Sequence, residues 1–276
     1  MLCHSRTRGY SLKLRRWLDF NSDDICDISW REDAFSKLVL PDDQKNLILA
    51  ISETQIKGSS FDDIISGKGR GIVCLLSGPP SFGMTLTAEA VAEHLRVPLH
   101  TLSWGDLGSN ASDLDDKLTS ILDPVTRWNG ILLIDECDVF LEARSATTDL
   151  DRNKAVSIFL RTLEYYAGIL FMTTNRIGNI DPAFQSRIHV ALEYGALDFT
   201  SREAVWRNFI SEDMDFSDED LKKLAKLELN GRHIKNVIKT AGLLAARHKK
   251  PPGKSFVDTV LAIEDRRAKI GCDASL

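Results

Sequence analysis

What this chain has little of already narrows its class. Long apolar runs are missing. The most continuous stretches, Ile131–Ile134 and Ile169–Met172, fall far short of the ~20 residues of a membrane-spanning helix and read as buried strands. A charge excess is missing too: Lys and Arg number 35 against 40 Asp and Glu, a net charge of −5. Nothing global therefore draws the chain toward nucleic acid or anionic lipid. No basic patch interleaved with aromatics occurs, and Lys249-Lys250 and Arg266-Arg267 read as solvated helix ends. The 5 cysteines form no CxxC pair and their total is odd, which argues against a disulfide framework and a zinc site. The 6 histidines are dispersed, with no Ser-His-Asp arrangement and no metal-ligand spacing. His100 and His189 fall within expected strands as structural residues.

What remains is an ordinary globular composition of 276 residues, 43% hydrophobic and 27% charged. That length supports roughly one to two domains. Cys74 and Cys137 sit in or beside apolar strands, where cysteine acts as a small hydrophobe. An intracellular, reducing compartment is expected, the cytoplasm first. Residues 1–18 carry His4, Arg6, Arg8, Lys13, Arg15 and Arg16 and no acid before Asp19. Two readings stay open there, a mitochondrial targeting segment and the cut end of an upstream region. Trp17, Leu18, Phe20 and Trp30 have the character of residues that pack against something.

Residues 1–45 lack a clear period and end in the turn signal Leu40-Pro41-Asp42-Asp43. A helix is predicted from about Asp43 to Gln55, with Leu47, Ile48 and Ile51 on one face. From Ile72 strands and helices alternate. Strands are predicted at Ile72–Ser77, Pro98–Ser103, Ile131–Ile134, Ile169–Thr174 and Ile188–Leu192. Helices are predicted between them, with Ala88, Val91, Ala92 and Leu95 on one stripe and Val156, Phe159, Leu160 and Leu163 on another. Strands apolar throughout and separated by helices imply a parallel sheet covered on both faces. After Tyr194 the strand signals stop, and helices begin after Ser201, Ser217 and Ser255, with a further one from Arg232 to His248. The expected architecture is an α/β phosphate-loop sheet sandwiched by helices and followed by a small all-α domain. Its expected segments are 1–45 as linker or remnant, 46–195 as core and 196–276 as helical lid.

Chemistry enters with Gly78-Pro79-Pro80-Ser81-Phe82-Gly83-Met84-Thr85, between a strand and a helix. This is GxxxxGK[ST] in the right context, with methionine where lysine stands. Such loops bind phosphate because backbone N–H groups and a helix N-terminus converge on the anion. A threonine at position 85 suits Mg²⁺. Ile131–Ile134 then runs into Asp135-Glu136. The first acid can bind Mg²⁺ through water, and the second can orient and deprotonate an attacking water. Thr173-Thr174-Asn175-Arg176 places an amide at the end of the next strand. Arg187, closing Asp181-Pro182-Ala183-Phe184-Gln185-Ser186, lies at the far edge, where it can reach a neighbouring subunit's nucleotide. Gly231-Arg232 opens a helix of the small domain.

From about Phe61 to Leu244 the chain resembles the AAA+ ATPase family. The resemblance is carried by LTAEAVAEHL, LLIDECDVFLEAR, GILFMTTNR, DPAFQSRIHVAL and LNGRHIKN. It implies that Asp135 and Glu136 are the Walker B acids, Asn175 the first sensor, Arg187 the arginine finger and Arg232 the second sensor. It implies a nucleotide-contact set of Gly78, Pro79, Pro80, Ser81, Phe82, Gly83, Met84, Thr85 and Leu86 with Arg232, and Mg²⁺ held by Thr85 and Asp135. It also implies ATP and ADP as ligands and a homo- or hetero-oligomeric ring with AAA+ subunits. Arg8–Pro41 resembles the family's region before the core.

Two positions depart from the family, which has glycine at 81 and lysine at 84. Serine costs roughly 1–2 kcal/mol if position 81 needs positive φ. Losing one charge-assisted hydrogen bond, worth about 1.5–3 kcal/mol, weakens phosphate binding roughly 10- to 150-fold. Hydrolysis suffers more where the charge acts chiefly in the transition state. The leading expectation is therefore an ATP-binding module with impaired hydrolysis. The alternatives are a slow ATPase remodelling a protein partner, with Lys68, Arg70 or Arg176 as substitute cation, and a scaffold keeping only the fold. Leu107-Gly108-Ser109-Asn110, where a pore loop is expected, has no aromatic, although Trp104 lies three residues earlier.

Overall fold

The computed structural model describes residues 5–58, 69–107, 111–141, 150–176, 180–210, 214 and 216–273. In chain order the elements are β1 (Arg6–Ser11), β2 (Arg16–Asn21), α1 (Asp42–Ile56), β3 (Ile72–Ser77), α2 (Met84–Leu95), β4 (Leu99–Ser103) and α3 (Trp104–Leu107). There follow α4 (Ala111–Arg127), β5 (Ile131–Asp135), α5 (Asp138–Leu141), α6 (Leu150–Tyr165), β6 (Ile169–Thr174), α7 (Pro182–Gln185) and β7 (Val190–Glu193). The chain ends with α8 (Phe199–Phe209), α9 (Asp218–Ala225), α10 (Gly231–Arg247) and α11 (Lys254–Asp273).

Among the described residues, β3 to β7 form a five-stranded parallel sheet in the order β4-β5-β6-β3-β7. A strand in such a sheet is buried on both faces, which is why β3, β5 and β6 are apolar without alternation. Val73, Leu75, Leu132, Ile134, Leu170 and Met172 face the apolar stripes of α4 and α6, including Leu118, Leu122, Val156 and Phe159. On the opposite face α1 and α2 supply Ile48, Ala88 and Val91, all at most 1% exposed. Leu47 turns to solvent instead, 44% exposed, because the packed face of α1 runs through Ile48 and Ser52. Strand β7 starts two residues later than the apolar run suggests. His189 ends the preceding turn, its N–H donating to the Val73 carbonyl (2.9 Å) while its Nδ1 accepts from the Val73 N–H (3.1 Å).

The N-terminal segment holds an antiparallel hairpin, β1–β2, that the sequence does not announce. Its turn, Leu12-Lys13-Leu14-Arg15, contains no Gly, Asn or Pro, and Arg15 itself takes the left-handed conformation (φ 54°) usually left to glycine. Tyr10 places its ring 5.3 Å from that of Trp128 and 6.1 Å from that of His100 on β4. Arg15 pairs with Asp106 on α3, and the Arg31 N–H donates to Glu93 on α2 (2.9 Å).

The chain divides into two compact units, one built of Met1–Leu38, Asp42–Ser77 and Met84–Glu193, the other of Val39–Pro41, Gly78–Gly83 and Tyr194–Leu276. Helices α8 to α11 of the second unit enclose their own core around Trp206, Ile234 and Val237, each fully buried. Their starts follow capping chemistry. Ser217 forms a capping box with Asp220, and Asn230 accepts from the His233 N–H (2.9 Å). Helix α8 starts earlier than Ser201, since Asp198 is its cap and accepts the Ser201 N–H (2.7 Å). Helix α11 likewise begins at Lys254, ahead of Ser255.

His100 is 2% exposed, and neither ring nitrogen has a hydrogen-bond partner among the described residues. Burial pushes its pKa below the ordinary 6.5; the Arg15 charge adds to this and Asp106 opposes it. A pKa lower in the folded than in the unfolded state means the stabilisation is complete above 6.5 and is lost as pH falls toward the folded value. We expect the wild-type melting temperature to drop on acidification below pH 6.5 more steeply than that of His100→Leu. Equal slopes would remove His100 as the cause.

Candidate functional site

In open α/β sheets ligands bind beyond the carboxyl ends of the strands, and the phosphate loop, Asp135, Glu136 and Asn175 lie at or just after the ends of β3, β5 and β6. Strand β3 runs into Gly78–Gly83, and α2 starts at Met84. Position 78 must be glycine for lack of room: a Cβ there would lie 2.5 Å from the Tyr194 carbonyl oxygen and 2.8 Å from its Cβ. Pro79 and Pro80 are exposed, while Ser81, Phe82 and Gly83 are half-buried. Ser81 adopts φ +78°, so the strained condition holds, and serine occupies a conformation that glycine takes without cost. Within the same unit, α10 starts beside this loop, since a Cβ on Gly231 would stand 4.0 Å from the Ser81 carbonyl oxygen. Arg232, the next residue, is exposed in the first turn of α10.

Met84 is 8% exposed, so the residue standing in for lysine is an uncharged, buried thioether. Thr85 follows, half-buried, and Leu86 is 51% exposed. The Thr85 hydroxyl donates to the Asp135 carboxylate, 3.1 Å from Oδ1 and 3.3 Å from Oδ2. Thr173 on β6 donates to the same Oδ1 (2.5 Å) and accepts from the Glu136 N–H (2.9 Å). Glu136 is exposed in the left-handed region, φ 54°, where a non-glycine residue is held only by its surroundings. Those surroundings are the Thr173 hydroxyl before it and, after it, Cys137, whose N–H (2.9 Å) and Sγ (3.0 Å) both donate to the Thr173 carbonyl. Burial, reinforced by the Asp138 charge, pushes the Cys137 thiol well up, so it stays protonated.

A second carboxylate organises the end of β6. Asp138 Oδ1 accepts from the Thr174 hydroxyl and from the Asn175 N–H (3.2 Å), and the Arg176 N–H returns to the Thr174 hydroxyl (3.1 Å). Asn175 is thereby set at the strand end with its side chain in solvent. Thr173 and Asp138 are the positioning residues that sequence reasoning passed over, although both lie inside the quoted motifs. Arg187 is not among the groups brought together here. It is half-buried, pairs with Glu164 at the end of α6 and donates to the Ala183 carbonyl (2.9 Å). Nothing in the sequence flagged Glu164. Lys68 and Gly108–Asn110 lie outside the described residues, as does the Trp104 side chain.

A model of the ATPase family associated with various cellular activities (AAA) matches residues 74–196, from inside β3 past the end of β7. Residues 74–196 are an AAA+ ATPase domain. Its sheet and flanking helices are those of a P-loop NTPase. Curated AAA+ relatives include the ATP-dependent zinc metalloprotease FtsH of Oenococcus oeni, 27% identical over 78% of this chain and 32% of that protein. The protein of the same name from Veillonella parvula is 30% identical over 71% of this chain and 32% of its own length. That from Rhodococcus erythropolis is 31% identical over 64% and 22%. The chain thus spans about a third or less of the relatives it matches. No helix among the described residues is long and apolar enough to cross a membrane, and none of their His, Cys, Asp and Glu side chains cluster as a metal-holding group of three.

Ser81→Gly removes a left-handed penalty of roughly 1–2 kcal/mol and adds about 0.4–1 kcal/mol of unfolded-chain entropy. The variant should be more stable in urea unfolding by up to about 1.5 kcal/mol, the difference of those terms. A loss of stability would mean that the serine side chain makes a contact worth more than the strain. Thr173→Val leaves the Glu136 N–H and Asp135 without their shared hydroxyl, and should cost about 1–3 kcal/mol. An unchanged urea midpoint would rule out that role.

Proposed function

We propose that this chain is a nucleotide-binding AAA+ module whose own ATP hydrolysis is impaired, and that it works in a ring with other AAA+ subunits. The observation that carries the reading is the split within its site. The acid and hydroxyl groups stand assembled around Asp135, while the position that ordinarily presents a cation holds buried Met84. An all-oxygen pair, Thr85 and Asp135, suits Mg²⁺, and these two residues would hold it. Mg²⁺ supplies charge neutralisation across the phosphate oxygens. The backbone of Gly78–Gly83 would cradle the phosphates and Arg232 would meet the nucleotide from the lid helix. Glu136 would orient the attacking water, with Asn175 beside it. Without the lysine charge, phosphate binding weakens roughly 10- to 150-fold and the transition state loses more.

Retention of Arg187 fits a role for it toward a neighbouring subunit's nucleotide, for which its guanidinium has to leave Glu164. The free thiols Cys26, Cys74 and Cys137 accord with an intracellular, reducing compartment such as the cytoplasm.

Calorimetric titration with Mg-ATP, run beside the Ser81→Gly/Met84→Lys double revertant, decides the matter. Weak binding by the wild type, with hydrolysis only by the revertant, is the expected outcome. Turnover by the unmodified chain would overturn the impairment, and absence of binding by the wild type, whatever the revertant does, would overturn its nucleotide role.

A further inference from the structure

The β1–β2 hairpin carries a surface that the nucleotide site does not use. Leu12 and Leu14 in its turn are 38% and 55% exposed, and Trp17 at the start of β2 is 52% exposed. Lys13, Arg15 and Arg16 alternate with them, and the Arg8 guanidinium lies 5.9 Å above the Trp17 ring. No acid precedes Asp19; the acids of this region, Asp19, Asp23, Asp24 and Asp27, gather at and beyond the far end of β2. The tip is therefore basic and apolar, whereas the other end of the hairpin carries both signs, Arg6 and Arg8 on β1 beside Asp19, Asp23 and Asp24.

The tip is also held. Tyr10 packs edge-on against Trp17 (5.6 Å) and tilts over Trp128 and His100, while Arg15 is tied to Asp106. These contacts use Tyr10 and Arg15 but leave both turn leucines in water. Chain reversal itself rests on Ser11, whose hydroxyl accepts the Leu14 N–H (3.1 Å), and on the left-handed Arg15, so it does not call for leucine at 12 and 14.

We propose that this hairpin tip docks on an anionic lipid surface. Leu12 and Leu14 enter the boundary between headgroups and acyl chains, and Trp17 sits at headgroup level, where its amphipathic ring is favoured. Lys13 and Arg16 stay among the lipid phosphates, each strengthening partition about fivefold. On a chain of net charge −5, a basic tip of this kind favours one orientation toward such a surface. Nucleic acid would use the cations and aromatic rings but offers nothing to the two leucines. A second copy of the tip would bring like charges together.

The full chain is sedimented with phosphatidylcholine vesicles and with vesicles that also contain phosphatidylserine. Partition into the anionic vesicles alone, weakened by added salt, is expected. Leu12→Ser/Leu14→Ser should reduce it at least about tenfold, from the transfer of two exposed side chains. Lys13→Glu/Arg16→Glu should reduce it by about 25-fold or more. Both variants alter exposed residues and should melt with the wild type, which separates lost docking from lost folding. The proposal is overturned by failure to partition, or by partition that survives the leucine pair. It is overturned equally by self-association or RNA binding of the wild type in place of vesicle binding.

Discussion

The Asp135 carboxylate is the point on which the core's chemistry depends. It ends a strand that is wholly buried, and it accepts from a hydroxyl on α2 and from another on β6. One anion thus joins the helix after the phosphate loop, the central strands and, through Thr173, the backbone of Glu136. The left-handed turn at Glu136 is the local cost of this arrangement. It directs the second acid into solvent while the chain folds back into α5, whose Asp138 secures the neighbouring strand end. The acids of DECD therefore play three different parts within four residues, and the buried thiol between them packs and donates to the Thr173 carbonyl.

Much of this was legible in the sequence because parallel sheets leave a strong trace. β3 and β6 were bounded correctly, and β5 to within a residue, since a strand covered on both faces must be apolar throughout. β7 was blurred because His189, which closes the preceding turn with its ring, sits inside an apolar run. The helix after Ser217 announced itself through its cap, whereas Asp198 was masked by the serine three residues later that it caps, and Asn230 was passed over as the cap of α10. The hairpin stayed hidden. Its turn breaks the residue rules, and its exposed leucines and tryptophan mimic a buried stretch.

The site divides in the same way. Groups that act through type and spacing, such as Thr85, Asp135 and Glu136, could be named at once. Those that act through a partner distant in sequence could not. Glu164 lies 23 residues from the Arg187 it engages, and Tyr194 lies far from the Gly78 it crowds. The consequence for Arg187 is physical. Its Nε is buried with no hydrogen-bond partner among the described residues, so the pose beside Glu164 satisfies the guanidinium only in part there. A competing anion that satisfied all its donors would have an advantage.

The strained serine ties two positions of the loop together. With φ +78° at Ser81, the loop keeps its shape against the preference of one of its own residues. On the proposed reading, a lysine at position 84 brings charge to a loop that stays strained at 81, and a glycine at 81 relaxes a loop that has no charge to present. Either change alone leaves the other defect standing, so the two positions act as one unit, and their joint effect is not the sum of the two taken singly.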